Sequence, residues 1–319
     1  MANCAGGLAI VNVSNAAAPT LSATVCEWFS GYKMAMKPGL AVVTGTFMRN
    51  GGAQQSYGIQ VLDTSNPTRP RLVGSLETNA YGFYGIAISG TYAFAACGPA
   101  GVKVIDFSNP AAPSNVATAV TLGSATSLMI QGNYLYIANG YQGLRIIEIS
   151  NPRIPVSVGL VDMPGNTAKE VCVVGNLAYL VCNTALKIID VSSPANPTII
   201  GSYPIGAADV KVQNGVAYLA AGMAGLVTLD VSDPSNLRLI GTVDRSSGSS
   251  TGVYVSGSRA YLANALGGLE IVDVSHPATP LMRNVVLTLG FSTAAMFDNG
   301  WICLSDGLGS LNIISPGTE

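Results

Sequence analysis

Two carboxylates are the strongest candidates for chemistry in this sequence. Glu170 and Asp209 begin the short alternating stretches EVCVV and DVKVQ, which are equivalent parts of two consecutive repeats. Two carboxylates held close together can bind a divalent cation, or act as general acid and base with one raised pKa. Lys33, at the equivalent position of an earlier repeat, or Arg49 could then orient an anionic group. The alternative is a solvated rim without chemistry, lined by the other equivalent residues and by two loop acids: Gly85, Ser127, Gly252, Ala294, Asp162 and Asp244.

Other kinds of catalytic site find little support. The one histidine, His276, occupies the variable position of an S-x-P turn, which disfavours a Ser-His-Asp triad and a zinc site built on histidines. The sequence has no G-x-S-x-G and no phosphate-binding loop ahead of a helix. The six cysteines form no C-x-x-C pair, and the expected hairpin register places Cys172 opposite Tyr179 rather than Cys182. We expect buried, free thiols, and no metal site is predicted from these residues.

Aromatic residues are concentrated in two loops and beside the one long insertion. Six aromatics lie in the stretches 27–33 and 80–84, and the insertion 45–58 (GTFMRNGGAQQSYG) follows the first of them. Exposed aromatics are unfavourable unless they contact a ligand, a partner or one another, and insertions in repeat proteins often lie on the binding face. The predicted ligand-binding residues are Trp28, Phe29, Tyr32, Lys33, Arg49, Tyr57, Tyr81, Phe83 and Tyr84. We expect the insertion to be a loop. The alternatives to a binding role are that the aromatics pack together as a loop core and that the insertion is a tolerated, mobile surface loop.

A repeated phrase organises the elements that must position these residues. It reads GLAIVNVSNAAAP, GIQVLDTSNPTRP, GVKVIDFSNPAAP, GLRIIEISNPRIP, ALKIIDVSSPANP, GLVTLDVSDPSNL and GLEIVDVSHPATP, with a shortened copy near the C-terminus, GSLNIISPG. Each period of about 42 residues contains four short segments rich in Val, Ile, Leu and Tyr, separated by Gly-Asn, Asn-Gly and Ser-Asn-Pro turn signals. No window shows a helical period.

Four strands per repeat of this length are typical of a β-propeller blade. The sequence therefore predicts an all-β fold: a seven-bladed β-propeller of four-stranded antiparallel blades, forming a single domain over residues 1–319. Because the chain begins in the middle of a repeat, we expect a split blade formed by about 1–26 and 291–319, closed by strands from both termini. One strand is surplus in this arrangement, either 8–13 or 311–315.

The recurrent acidic position of the phrase has a structural explanation. A short acceptor followed two residues later by Ser, and then by Pro, suits a side-chain-capped turn at a strand end. We expect this role for Asn12, Asp63, Asp106, Glu148, Asp190, Asp230 and Asp273.

The composition excludes several classes of protein. The chain has 15 Lys and Arg against 17 Asp and Glu, with 49% hydrophobic residues and 10% charged residues. Disorder would need lower hydrophobicity and a higher net charge, and nucleic-acid binding would need a basic patch. No apolar run approaches the roughly 18 residues of a membrane span.

The repeated L-x-I-[VI]-D-V-S-x-P phrases resemble those of LVIVD-repeat proteins over nearly the whole chain. The resemblance implies a β-propeller, often on a bacterial or archaeal surface, and brings no catalytic motif. The leading functional hypothesis is a binding module with an aromatic-rich mouth for a small molecule, carbohydrate or protein, in a surface or secreted bacterial protein. The alternatives are an enzyme (hydrolase, lyase or isomerase) using Glu170 and Asp209, and a rigid spacer. We predict no cofactor other than a divalent cation near those carboxylates, and a cytoplasmic location stays open.

Overall fold

The computed structural model describes the chain in segments. They are residues 8–12, 20–25, 29–49, 54–66, 69–78, 82–243, 248–265, 268–286, 292–298, 301–306 and 310–314. Side chains are described for 33–47, 56–66, 69–78, 82–243, 248–265 and 268–286. Within these residues there is no helix with the length and apolar character of a membrane-spanning segment.

Six sheets are four-stranded antiparallel blades in which chain order is spatial order. The first three comprise β3 (Phe29–Lys37), β4 (Leu40–Arg49), β5 (Gln54–Asp63) and β6 (Arg71–Thr78); β7 (Gly85–Ser89), β8 (Tyr92–Ala96), β9 (Val102–Asp106) and β10 (Ser114–Ala119); and β11 (Ser127–Gln131), β12 (Tyr134–Ala138), β13 (Leu144–Glu148) and β14 (Val156–Val161). The next three comprise β15 (Ala168–Val174), β16 (Leu177–Cys182), β17 (Leu186–Asp190) and β18 (Thr198–Tyr203); β19 (Asp209–Gln213), β20 (Val216–Ala220), β21 (Leu226–Asp230) and β22 (Arg238–Val243); and β23 (Ser250–Ser256), β24 (Arg259–Asn264), β25 (Gly268–Asp273) and β26 (Leu281–Val286).

The remaining sheet joins both ends of the chain and has five strands. Its order is β2-β1-β29-β28-β27, where β1 is Leu8–Asn12, β2 is Thr20–Val25, β27 is Ser292–Asp298, β28 is Trp301–Asp306 and β29 is Ser310–Ile314. Strands β1 and β29 pair in parallel, with Leu8 opposite Leu311. The expected count of seven four-stranded blades is therefore wrong, because six sheets of the described residues have that form and the seventh has five strands. Neither of the two candidate surplus strands, β1 and β29, is displaced. Both are kept in the sheet, and because they pair with each other neither presents an unpaired edge at that point.

One strand of each sheet lies innermost: the first strand of each four-stranded blade, and β27 in the five-stranded sheet. Strands β3, β7, β11, β15, β19, β23 and β27 contact one another in that order, and β27 contacts β3 again. The ring of contacts closes around a central channel, as predicted for a propeller whose ends are joined.

The hydrophobic core is divided into clusters between neighbouring sheets. One cluster joins Tyr136, Leu144 and Ile146 of one blade to Val171 and Leu180 of the next. A single twisted sheet cannot bury both of its faces, so stacking supplies the burial that the apolar composition requires.

The repeated phrase caps the outer turns as predicted. In five blades the Ser two residues after the acid donates its backbone N–H to the Asp Oδ1 at 2.8–3.1 Å, over the pairs Asp63–Ser65, Asp106–Ser108, Asp190–Ser192, Asp230–Ser232 and Asp273–Ser275. Glu148 accepts from the Ser150 hydroxyl at 3.0 Å. These bonds hold the pKa of each of the five Asp carboxyls below its ordinary value, with the largest effect coming from the Ser partner. The side chain of Asn12 lies outside the described residues.

A glycine in the fourth strand lets successive blades approach closely. A Cβ at Gly201 would collide with the carbonyl oxygen of Pro234, in the S-x-P turn of the next blade, and Gly159 stands in the same relation to Pro194. The backbone also bulges at this point, between the pairs formed by Ile188 and Ile189. The glycine of the fourth strand and the proline turn of the next repeat therefore pack directly against each other.

Candidate functional site

The first residues of the innermost strands lie at one end of the channel. Strands alternate in direction, so loops leading into innermost strands share a face with loops between second and third strands. We call it the upper face; the first hairpins and the S-x-P turns lie on the lower face.

Asp209 anchors this end of the channel between two blades. Its Oδ1 accepts hydrogen bonds from the Val210 N–H at 2.7 Å and from Lys211 Nζ at 3.0 Å. Its Oδ2 accepts from the N–H of Val253, in the next blade, at 2.9 Å. Protein donors therefore satisfy both carboxylate oxygens, as expected for a side chain that is only 9% exposed.

Glu170 makes a comparable contact with the preceding blade. Its Oε1 accepts a short hydrogen bond from the Ser127 hydroxyl and a longer one from the Val171 N–H at 3.3 Å. Its Oε2 faces Lys33 Nζ at 3.7 Å. Strands β3 and β15 belong to sheets three places apart in the ring, so the Lys33–Glu170 pair crosses the channel.

The charges in this group shift one another's pKa. Burial raises the pKa of Glu170, with a further contribution from the Asp209 charge, and Lys33 and Ser127 only partly offset this. Burial also acts to raise the pKa of Asp209, but Lys211, Lys33 and the Val253 N–H outweigh it and hold that pKa below its ordinary value. The pKa values of the two carboxylates are therefore shifted in opposite directions from their ordinary values.

Lys211 is stabilised in its charged form. Burial acts to lower the pKa of Lys211, but the carboxylates of Asp209 and Glu170 raise it above its ordinary value. Cys172 lies beside this group, and burial raises the pKa of its thiol. We call Lys33, Ser127, Glu170, Asp209 and Lys211 the channel cluster.

Around the channel, the upper face carries exposed apolar side chains. Tyr141 and Met223 are 79% and 86% exposed at equivalent tips of two loops between second and third strands. A backbone hydrogen bond closes each loop tightly. The Asn139 N–H donates to the Gly143 carbonyl at 2.8 Å, and the Ala221 N–H donates to the Gly225 carbonyl at 2.9 Å. The residue at the tip of each loop therefore projects outward. Leu122 is 78% exposed and has a left-handed φ of 59°. With Tyr84, which is 47% exposed, these residues form what we call the apolar rim.

Comparison with protein families decides the relationship of the chain. The LVIVD repeat model matches residues 1–26, 53–78, 84–121, 122–163, 165–204, 206–245 and 247–288. The chain belongs to the LVIVD repeat family. No curated protein gives a significant match to it.

Solved structures similar to this LVIVD-repeat chain support the fold alone, because their sequence identities are low. The β-propeller domain of Cps50 (Swd1) from Myceliophteria thermophila has a TM-score of 0.70 at 12% identity, covering 90% of this chain and 97% of that one. The computationally designed Ika8 protein has a TM-score of 0.65 at 10% identity, with coverages of 91% and 97%. BamB from Moraxella catarrhalis has a TM-score of 0.62 at 11% identity, with coverages of 91% and 84%.

Among the predicted site residues whose side chains the structure describes, three charged residues come together, whereas the aromatics Phe83 and Tyr84 lie in different environments. Lys33, Glu170 and Asp209 meet in the channel cluster. Phe83, predicted as a ligand contact, is 2% exposed and packs in the core, because its side chain fills the space between two blades. Tyr57 packs against the same core cluster, and Tyr84 stays on the surface.

The insertion is a β-hairpin extension rather than a loop. Strands β4 and β5 continue through it, with Tyr57 opposite Thr46 and Arg49 opposite Gln54, and β3 extends alongside with Phe29 opposite Phe47. The backbone thus places Phe29, in the first aromatic stretch, beside the insertion. The side chains of Phe29, Tyr32 and Arg49 lie outside the described residues, as do Trp28 and Tyr81 entirely.

Sequence reasoning missed two sets of residues in this LVIVD-repeat chain. Lys211 lies two residues after Asp209 on an innermost strand, so period-two alternation was the signal that places it on the same side. Tyr141 and Met223 occupy the same position of two repeats, and an apolar residue recurring at a loop tip was the signal there.

The remaining predictions concern histidine, cysteines and metal. His276 is an exposed turn residue, as expected. Cys97, Cys172 and Cys182 are buried and free, and Cys172 pairs with Tyr179 in the predicted register. Among the described residues, no three His, Cys, Asp or Glu side chains are grouped so as to hold a metal ion. The divalent cation near Glu170 and Asp209 stays a prediction; in this structure both carboxylates face lysines.

Proposed function

We propose that this LVIVD-repeat propeller is a binding module of a surface or secreted bacterial protein, and that it captures a partner on its upper face. The observation that carries the proposal is the apolar rim, where Leu122, Tyr141 and Met223 are each more than three-quarters exposed. Large exposed apolar groups on one face favour a protein, peptide or carbohydrate partner. The low content of Lys and Arg supports the surface location.

The backbone at Leu122 adds to this support. A left-handed conformation is unfavourable for leucine by about 1–2 kcal/mol, and an exposed leucine regains nothing by burial in the free protein. Contact with a partner would bury the side chain and offset this strain.

Site-specific photo-crosslinking tests the proposal. Benzoylphenylalanine is placed at Leu122 or Tyr141 on the upper face and, as a matched control, at Ile154, which is 66% exposed in an S-x-P turn of the lower face. We expect one partner to be labelled from both upper positions and not from Ile154. The double variant Leu122→Ser, Tyr141→Ser should then bind that purified partner at least about tenfold more weakly, with an unchanged melting temperature. Equal labelling from Ile154, or unchanged affinity, would contradict the proposal.

A specific observation favours an enzyme as the second candidate. The opposite pKa shifts of Glu170 and Asp209 suit an acid and a base acting from neighbouring blades. A panel of chromogenic esters and glycosides tests this with the wild type and Glu170→Gln. Turnover that is lost in the folded variant supports an enzyme, whereas absent turnover or turnover retained by Glu170→Gln contradicts it.

A further inference from the structure

We propose that Lys33 and Lys211 form a carboxylate-binding site in the upper mouth of the channel. The inference deepens the proposed function, on which it rests, because it names the chemical group that the upper face accepts. The site is the channel cluster, approached from the upper mouth of the channel.

The acidic members of the cluster are already occupied by protein donors. Asp209 accepts hydrogen bonds from Val210, Lys211 and Val253, and its side chain is 9% exposed. Glu170 accepts from Ser127 and Val171 on Oε1, and its side chain is 12% exposed. Its Oε2 accepts none of these bonds and faces the Lys33 ammonium. Both Asp209 oxygens and Glu170 Oε1 are therefore already used by protein donors.

The basic members keep unused donors. The side chains of Lys33 and Lys211 are 28% and 35% exposed, more than twice as open as the acids they face. In the described part of the chain Lys33 Nζ makes no hydrogen bond, since its distance of 3.7 Å from Glu170 exceeds hydrogen-bonding range. Lys211 Nζ donates to Asp209 and to the Val210 carbonyl, which leaves the third of its three N–H groups.

This arrangement selects an anion over a cation. A divalent cation would meet two ammonium groups at the open side of the site, whereas a carboxylate would accept hydrogen bonds from both and share their charge. The ammonium groups lie in a partly enclosed channel, where a charge-assisted hydrogen bond is stronger than at an open surface. The ligand is therefore a free organic acid, or an acidic side chain of a peptide whose apolar neighbours contact the rim.

Isothermal titration calorimetry with matched probes tests the inference. The free-acid probe is 4-bromobenzoate and its neutral control is 4-bromobenzamide, which has the same shape without the charge. The peptide arm uses acetyl-Leu-Asp-Leu-amide against acetyl-Leu-Asn-Leu-amide. Soaked crystals locate the bromine by anomalous scattering, and we expect it in the channel mouth beside Lys33.

Three variants separate the site from its surroundings. Lys33→Met should weaken binding of the acid at least about tenfold, because one charged donor is lost. Glu170→Gln should strengthen it severalfold, because Lys33 loses the carboxylate that competes for it. Lys169→Met removes an exposed lysine one residue from Glu170 and should leave binding unchanged.

The outcomes are decisive in each direction. Binding of either acid over its amide, with the Lys33 and Glu170 effects, supports the site, and the responding arm identifies the source of the carboxylate. Equal binding of acid and amide, no binding by either acid, or no gain in Glu170→Gln overturns it. If Lys33→Met does not fold, the gain in Glu170→Gln decides alone. A carboxylate site without any partner crosslinked at the rim would refute the proposed partner capture and leave the channel site standing.

Discussion

Asp209→Asn and Glu170→Gln should differ sharply in stability, although both remove one negative charge from the same cluster. Asp209 receives three hydrogen bonds on two oxygens, and asparagine offers only one oxygen. The new NH₂ group must face an N–H donor or the Lys211 ammonium. One buried donor left unsatisfied costs about 1–3 kcal/mol, and loss of the charge partner of Lys211 adds to this, so we expect a loss of about 3 kcal/mol.

Glu170→Gln should change the free energy of unfolding by less than about 1 kcal/mol. A glutamine oxygen can still accept from Ser127 and Val171, and burial already disfavours the ionised form of Glu170. The two substitutions are nearly isosteric and lie in adjacent blades, so each serves as the control for the other.

Urea unfolding followed by circular dichroism at neutral pH measures the difference, provided that fluorescence gives the same transition. The pH dependence adds a second criterion. Because the folded pKa of Asp209 is lowered, its stabilisation is full above the ordinary value of 3.8 and is lost as the pH falls through the folded pKa. Because the folded pKa of Glu170 is raised, wild-type stability should fall as the pH rises from its ordinary 4.5 through the folded value, and Glu170→Gln should lack this loss.

If Asp209→Asn destabilises no more than Glu170→Gln, then water rather than the protein donors satisfies the Asp209 carboxylate. The cluster would in that case be a solvated rim.

Three further predictions concern the blades. Gly201→Ala should lower the free energy of unfolding in urea by about 1–3 kcal/mol, because the added methyl collides with the Pro234 carbonyl oxygen. The control is the exposed Ser202→Ala, which should change it by less than about 0.5 kcal/mol. Equal effects would contradict the close approach of the two blades. Because the pKa of the turn aspartates is lowered, their contribution to stability is present above pH 3.8 and is lost as the pH falls through the folded pKa values. Asp190→Asn should therefore reduce the loss of stability at acidic pH. An unchanged loss would argue that Asp190 does not cap the turn. Burial raises the pKa of Cys97 and Cys182 to about 11, so mass spectrometry after thiol labelling at pH 8 should find Cys97, Cys172 and Cys182 modified only in denaturant; labelling of the native protein would show that these sites open.

The repeat made most of the fold predictable. The strand pattern, the capped turns and the use of both ends follow from local periodicity and turn chemistry, which the sequence repeats many times. The five-stranded sheet was not predictable, because two equivalent strands compete for one position and a pattern does not say whether both can be kept. The insertion was misjudged for a related reason: GTFMR and QQSYG have residues suited to either a loop or a longer hairpin.

The site was predictable only in part. Glu170, Asp209 and Lys33 were found because equivalent positions of a repeat converge near an axis. Their pairing was not, because the Lys33–Glu170 contact depends on the channel diameter and on side-chain reach. Phe83 and Tyr84 are adjacent aromatics, yet Phe83 is buried in the core and Tyr84 lies at the surface. Composition cannot separate them, because burial depends on which side of the strand entrance each residue faces.

The parallel pairing of β1 with β29 also sets how the molecule would carry tension. A force that pulls the two ends apart acts at the Leu8 end of one strand and at the Ile314 end of the other, so it runs along the seam in opposite directions. The hydrogen bonds of the seam are then loaded together in shear, rather than opened one after another as in a peeled hairpin. A chain tethered at both ends would therefore keep its ring intact under stretching until this seam slides as a whole.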